Sequence, residues 1–401
     1  MRYSRQEIIE GWDQKRLKDS KIAVVGSNNL ASFVLADLIA MGFGNITQIG
    51  ENSLDFLDLK KINPDVEIVE IPGEVINLEL ASDYIQKPNY ILELSGSGKQ
   101  KRICLQYAAR EQIPTVSARC CNKSYSIKFL EKYDKIDEII DYHKNESSQE
   151  DGVANAIVAS GIIVDELRKR LMPLKDDKIL KKLSVHEQEH DINQKIFLVG
   201  AGGIGTFAGI GLASKNATVD VIDFDKVEES NLNRQILFYD SIGGYKAEVM
   251  AAKLSKNGNF RGLVGKIDKN YSFDRKYDFI LSCVDNLDAR YFLDLIAWKN
   301  KIPLINSGTS LFGGSVMPVV YGKTACLDCQ MFGGLTQRKN EKKEGSCYEP
   351  SMIISNQIIG GILLNKISRV LNNNFDSVKY DSNSSIKKIA TLESCLDSCK
   401  R

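Results

Sequence analysis

With 401 residues the chain is too long for one average domain and long enough for two, and 43% hydrophobic with 26% charged residues is the make-up of an ordinary globular protein. Lysine and arginine number 53 against 52 aspartates and glutamates, a net charge of +1, so no field of one sign argues for nucleic acid or a membrane surface as partner. The opening Met1-Arg2-Tyr3-Ser4-Arg5-Gln6 lacks the apolar core of a signal peptide, and no apolar run approaches a membrane span, so the cytoplasm is the expected compartment. Nine irregularly spaced cysteines in that compartment suggest metal binding or thiol chemistry rather than a disulfide scaffold.

Along the chain, Lys21-Ile-Ala-Val-Val-Gly26 reads as a buried strand ending in a glycine turn, followed by an apolar-periodic helix over about 30–41. Tyr90-Ile-Leu-Glu-Leu is a second buried strand, Ile113-Pro-Thr-Val-Ser a short segment after it, and 159–171 a closing helix. Residues 173–193 are polar and charged without a buried period and read as a linker. The series then repeats: Lys195-Ile-Phe-Leu-Val-Gly200, a helix over about 203–214, Tyr277-Asp-Phe-Ile-Leu-Ser, Ile302-Pro-Leu-Ile-Asn and a closing helix at 359–371. Strands alternating with helices at this rhythm predict an α/β fold with a doubly wound, Rossmann-like sheet in each half, 1–172 and 194–401.

Only the second half carries the equipment of a nucleotide site. Gly200-Ala-Gly202-Gly203-Ile-Gly205 lies between a strand and a helix, where glycines let a phosphate approach the helix N–H groups. Asp223 ends the next strand, where a carboxylate accepts ribose hydroxyls. That much also fits a dinucleotide dehydrogenase. The continuation Asp223-Phe-Asp-Lys-Val-Glu-Glu-Ser-Asn231-Leu-Asn233-Arg234-Gln235, with Lys246 beyond it, points elsewhere. Hydride transfer has no use for Arg234 and Lys246, whereas a triphosphate opened at its α-phosphorus develops negative charge that they offset. Asp285 follows the next strand, hence the same sheet edge, where a carboxylate can hold Mg²⁺ against the phosphates. His186-Glu-Gln-Glu-His190 fits a zinc-protease pattern but sits in the linker without an apolar helical frame.

These residues resemble the ThiF-type adenylating superfamily, which includes ubiquitin-activating enzymes and the activators of the molybdopterin and thiamine sulfur carriers. The likeness runs across nearly all of 195–371. It implies ATP and Mg²⁺ as ligands, Asp223 on ribose, Asn231, Arg234, Gln235 and Lys246 on phosphates, and Asp285 on Mg²⁺. The first half resembles the same family stripped of its equipment: in Gly26-Ser-Asn-Asn-Leu-Ala31 two of the glycines that allow close approach are replaced, and no Asn-Arg-Gln cluster follows. It keeps Arg2-Tyr3-Ser4-Arg5-Gln6, which the resemblance makes an arm that crosses a dimer interface and touches the partner site's ATP through Arg5. The expectation is a monomer whose inactive and active halves form an intrachain pseudodimer.

Cys326-Leu-Asp-Cys329 and Cys395-Leu-Asp-Ser-Cys399 suggest a closed, structural zinc site of four cysteines in the second half. The family has such a site, usually with two residues inside each pair; the second pair here has three. Cys347 ends a polar stretch rich in lysine and arginine, which favours thiolate. Family members with a conjugating or sulfur-transfer role keep a reactive cysteine in that place. The implied activity is adenylation of the C-terminal glycine of a small ubiquitin-like protein ending in Gly-Gly, followed by acyl transfer to Cys347. A conjugating enzyme or a sulfurtransferase is the further partner. Activation of a sulfur-carrier protein for cofactor or tRNA thiolation, or adenylation of a ribosomal peptide, uses the same chemistry. A catalytically silent nucleotide-binding scaffold is the alternative from another class, and Arg234, Lys246 and Asp285 speak against it.

Overall fold

The computed structural model describes residues 2–131, 152–331, 335, 350–381, 385–396 and 399. They form two compact units. The first comprises Met1–Glu189 with two later pieces, Leu232–Asp240 and Met352–Ile354; the second comprises His190–Asn231, Ser241–Ser351 and Ser355–Arg401. Among the described residues no helix is long and apolar enough to cross a membrane.

The first unit is built on seven strands: β1 (Lys21–Val25), β2 (Asn45–Ile49), β3 (Glu67–Ile71), β4 (Tyr90–Glu93), β5 (Thr115–Cys121), β6 (Ser124–Leu130) and β7 (Lys182–His186). Their order is β3-β2-β1-β4-β5-β6-β7, with β1 to β5 parallel and the last two joined antiparallel. Buried on both faces, β1 is an unbroken apolar run rather than an alternating one. Helices α1 (Asn29–Met41), α2 (Leu78–Ile85), α3 (Gly98–Glu111) and α4 (Val153–Leu171) accompany this sheet. α1 is stopped by Gly42 at φ +81°, the left-handed residue that closes a helix. The stretch expected as a linker therefore contains β7, the edge strand of this sheet, paired along β6 from Ser124 opposite His186 to Lys128 opposite Lys182.

α4 ends in buried charge. Arg168 bonds Asp165 at 2.9 Å and Asp177 at 2.6 Å, and Lys169 bonds Glu166 at 2.7 Å. Both cations are fully buried, so each stands only because it is paired.

The second unit repeats the plan with β8 (Lys195–Val199), β9 (Thr218–Asp223), β10 (Asn259–Val264), β11 (Phe279–Ser282), β12 (Leu304–Ser310), β13 (Gly313–Val319), β14 (Ser377–Asp381) and β15 (Ser385–Ile389). Their order is β10-β9-β8-β11-β12-β13-β14-β15, the first unit's sequence of crossovers with one more antiparallel strand. Its main helices are α5 (Gly203–Ala213), α6 (Lys246–Leu254), α7 (Leu287–Asn300) and α8 (Ile353–Leu371), the last of which begins within Met352–Ile354. In both sheets the direction of winding reverses beside the first strand, which leaves a crevice at the strands' carboxyl ends. The two doubly wound sheets expected from the sequence are thus present.

Candidate nucleotide site

In the second unit β8 runs into Gly200, at φ +96°, where a Cβ would lie 2.7 Å from the Cys283 carbonyl oxygen; only glycine fits. A Cβ on Gly203 would stand 2.5 Å from Asn356 Oδ1, and one on Gly205 would collide with the Gly200 carbonyl oxygen. α5 therefore starts hard against the strand. Its N-cap is Gly202 and no side chain caps it, so the N–H groups of the first turn are left for an anion. The equivalent turn of the first unit is already filled. There Asn28 Oδ1 accepts the Ala31 N–H at 2.9 Å while its Nδ2 donates to the Leu94 carbonyl at 2.6 Å.

Asp223 ends β9 beside the open loop. Its Oδ2 accepts the Ala201 N–H at 2.7 Å and its Oδ1 the Asp225 N–H at 2.8 Å, which orients the carboxylate. Burial raises its pKa, while those two N–H groups and the nearby Lys246 act in the opposite direction. Lys246 opens α6, is itself buried, and donates to Asp225 Oδ2 at 3.1 Å. Asp225 escapes a reading of the sequence; its only signal there is the Asp-x-Asp spacing after β9. Asn231 is buried, and its Oδ1 accepts the Glu228 N–H at 3.0 Å. Asp285 is exposed on the turn after β11, and β11 lies parallel to β8 with Ser282 opposite Val199. Asn286 then caps α7 by accepting the Ala289 N–H at 2.7 Å. Cys283, in the same turn, is buried, and burial pushes its thiol up to about 12, which makes it inert as a nucleophile.

Three of the expected site residues belong to the first unit. Arg5 stands in the short helical turn Ser4–Glu7. Arg234 and Gln235 lie in Leu232–Asp240, a segment held by the N-terminal motif. Arg2 donates to the Ile62 carbonyl at 2.6 Å and to that of Leu232 at 3.3 Å. Asn233 Nδ2 donates to the buried Gln6 Oε1 at 3.4 Å, and Asn233 Oδ1 accepts from Arg234 at 2.9 Å. The Asp58 N–H donates to the Tyr239 hydroxyl at 3.4 Å.

Cys326, Cys329, Cys395 and Cys399 converge, their sulfurs all within 4.8 Å of one another. The sulfurs of Cys326 and Cys399 are 3.9 Å apart, and Cys395 Sγ accepts the Cys326 N–H at 3.3 Å. A tetrahedral zinc about 2.3 Å from each sulfur separates them by roughly 3.8 Å, so the four thiols fit that ion despite the longer second pair. Cys347 lies outside the described residues. His186 ends β7, so it and His190 do not share a helical face and cannot form the zinc-protease pair.

Two Rossmann-like sheets, one with a filled turn and one with an open glycine loop beside an oriented aspartate, define an α/β protein with a single nucleotide-type crevice among its described residues. The profile of the ThiF family matches residues 175–399, more than half of the chain, and the chain belongs to that family. It is 30% identical over 180 residues to SUMO-activating enzyme subunit 2 of Dictyostelium discoideum, covering 41% of this chain and 27% of that one. It is 37% identical over 164 residues to the NEDD8-activating enzyme E1 catalytic subunit of Caenorhabditis elegans, covering 35% of this chain and 37% of that one. The chain thus spans well under half the length of these curated relatives. Among solved structures, E. coli MccB with ATP aligns at a TM-score of 0.43 and 21% identity, over 52% of this chain and 65% of that one.

Proposed function

We propose that this protein uses ATP to adenylate the C-terminal carboxylate of a ubiquitin-like protein. The observation that carries this reading is the convergence of the uncapped α5 N-terminus, oriented Asp223 and buried Lys246 on one sheet edge. That set suits a nucleoside triphosphate better than a dinucleotide. The names of the SUMO- and NEDD8-activating relatives support the choice of acceptor.

In the proposed reaction Asp223 accepts the ribose hydroxyls, and the loop Gly200, Gly202, Gly203 and Gly205 with Asn231 and Gln235 holds the phosphates. Arg5, Arg234 and Lys246 offset the charge that grows on them, the two halves acting as an intrachain pseudodimer. The exposed Asp285 carboxylate is a hard oxygen donor that fits Mg²⁺, which would neutralise phosphate charge when bound. A carboxylate oxygen of the carrier's terminal glycine attacks the α-phosphorus. The bond to the bridging oxygen breaks, and pyrophosphate leaves with that electron pair, giving an acyl-adenylate. The Cys347 thiolate then attacks the acyl carbon, and AMP leaves as the thioester forms. Cys326, Cys329, Cys395 and Cys399 would hold Zn²⁺ as a structural clip outside this chemistry. A conjugating enzyme would take over the acyl group, or a sulfurtransferase would supply sulfur to the carrier.

The test is ATP–pyrophosphate exchange with candidate ubiquitin-like and sulfur-carrier proteins ending in Gly-Gly. Asp285→Ala is expected to lower exchange at least about 100-fold and Arg5→Ala about 10- to 100-fold. No carrier-dependent exchange in the wild-type protein would overturn the adenylation reading; full exchange in Asp285→Ala would remove that carboxylate from it, and full exchange in Arg5→Ala would remove the N-terminal arm. Cys347→Ala is expected to keep exchange and lose the thioester; a retained thioester would remove that cysteine.

A further inference from the structure

Behind the Asp285 turn lies a guanidinium that the proposed reaction does not use. Arg290 stands in the first turn of α7 and is half-buried. One of its nitrogens donates to Asn306 Oδ1 at 2.6 Å, and another to the Val284 carbonyl at 2.5 Å. The Ser282 hydroxyl donates to the same Asn306 oxygen at 3.2 Å, and Ser282 and Asn306 are register partners where β11 meets β12. Gly308, further along β12, gives the guanidinium its room: a Cβ there would lie 3.0 Å from Arg290. Burial lowers the Arg290 pKa, and the charge of Asp285 is among the groups acting against that, so the two side chains sense each other. The planar fork thus ties the carbonyl immediately before Asp285 to Asn306 within the central strand β12, which a lysine's single ammonium cannot do as well.

The first unit supplies an internal contrast. Lys101 occupies the same place in α3 and pairs with the buried Glu93 of β4 at 2.7 Å. It also donates to Ser117 Oγ at 3.1 Å and to the Ala118 carbonyl at 3.2 Å. That cation is spent on the strands, and the turn after β4, Leu94-Ser-Gly-Ser97, carries no carboxylate.

We propose that Arg290 is a positioning residue for Asp285: by clamping the Val284 carbonyl to Asn306 it fixes the Cys283–Asn286 turn and aims the carboxylate at the divalent cation of a metal–nucleotide. The inference rests on the reading that Asp285 holds that cation. It is tested on the full chain by calorimetric binding of ATP with and without Mg²⁺, in wild type, Asp285→Asn, Arg290→Met, Arg290→Lys and the Asp285→Asn/Arg290→Met double variant. Asp285→Asn should weaken binding only when Mg²⁺ is present. Arg290→Met should do the same by about tenfold, the scale on which residues behind a metal ligand act. The double variant should be no weaker than Asp285→Asn alone, because both changes remove one coupled contribution. Arg290→Lys should fall between, and it carries the test should Arg290→Met fail to give a cooperative melt. A merely structural arginine would lower the melting temperature and leave the Mg²⁺-dependent step intact, which overturns the proposal. So would losses that add in the double variant. If Asp285→Asn itself leaves Mg²⁺ dependence unchanged, the cation assignment has failed, a result distinct from failure of the arginine's role.

Discussion

A methyl group on Gly205 would meet the Gly200 carbonyl oxygen, and one on Gly203 the Asn356 amide, so these residues are set by how closely α5 approaches β8 and α8. The atom in the way at Gly205 is backbone and cannot swing aside. Gly205→Ala is therefore expected to destabilise the protein by about 1–3 kcal/mol in urea melts and to weaken ATP binding in calorimetry by more than tenfold. Wild-type affinity in a normally melting variant would sink the close-approach argument. The loop glycines and Asp223 are legible in the sequence because each is local: a glycine after a buried strand, an aspartate at the end of the next. Asp225, Asn356 and Arg290 are not. Asn356 and Arg290 act on a residue far away in sequence or on a backbone carbonyl, which leaves no spacing to find, and Asp225 leaves only the Asp-x-Asp pattern.

Among the elements, the parallel strands around each glycine turn could be read from their apolar runs, whereas β7 could not. Lys182-Leu-Ser-Val-His186 has half-buried residues only at every second position, the pattern of an edge strand, and its polar members make it look like the linker around it. The closing helices show a second effect hidden from pattern reading, since buried charge at the end of α4 resembles a solvated tail. There burial would raise the Asp177 carboxyl, but Arg168 and the Leu174 N–H overcome it and hold it below the usual carboxylate range. Because the native pKa lies below the unfolded one, this stabilisation is present above about pH 4 and fades as pH falls through the native value. Asp177→Asn should cost about 3 kcal/mol at pH 7, with the gap to wild type closing in acid. A gap that stays constant from pH 7 to pH 3 would show that the ion pair is not its source.

For the molecule as a whole, two units share one strand order, with β15 added in the second, but their glycine turns differ, filled by Asn28 in one and open after Gly200 in the other. The sequence shows this asymmetry in its glycine count; it does not show that Leu232–Asp240 packs with the first unit, because hydrophobic periodicity carries no information about which core a segment joins. The four-cysteine cluster acts at the same scale: the Ala325 N–H donates to the Leu392 carbonyl at 2.7 Å, so a bound ion would fasten the last described stretch to the region after β13. Elemental analysis is expected to find about one zinc per chain, and Cys329→Ser to lose it with a lower melting temperature. A metal-free chain that melts unchanged would leave the cluster as ordinary thiols.

The make-up of the first unit also bears on biosynthesis. Ile236, Leu237 and Phe238, at 1%, 0% and 0% exposure, are counted in it, as are Met352–Ile354. A ribosome releases Met352–Ile354 only after most of the second unit's sequence has been translated. The amino-terminal unit is thus begun first and is expected to be completed only once those later segments have emerged.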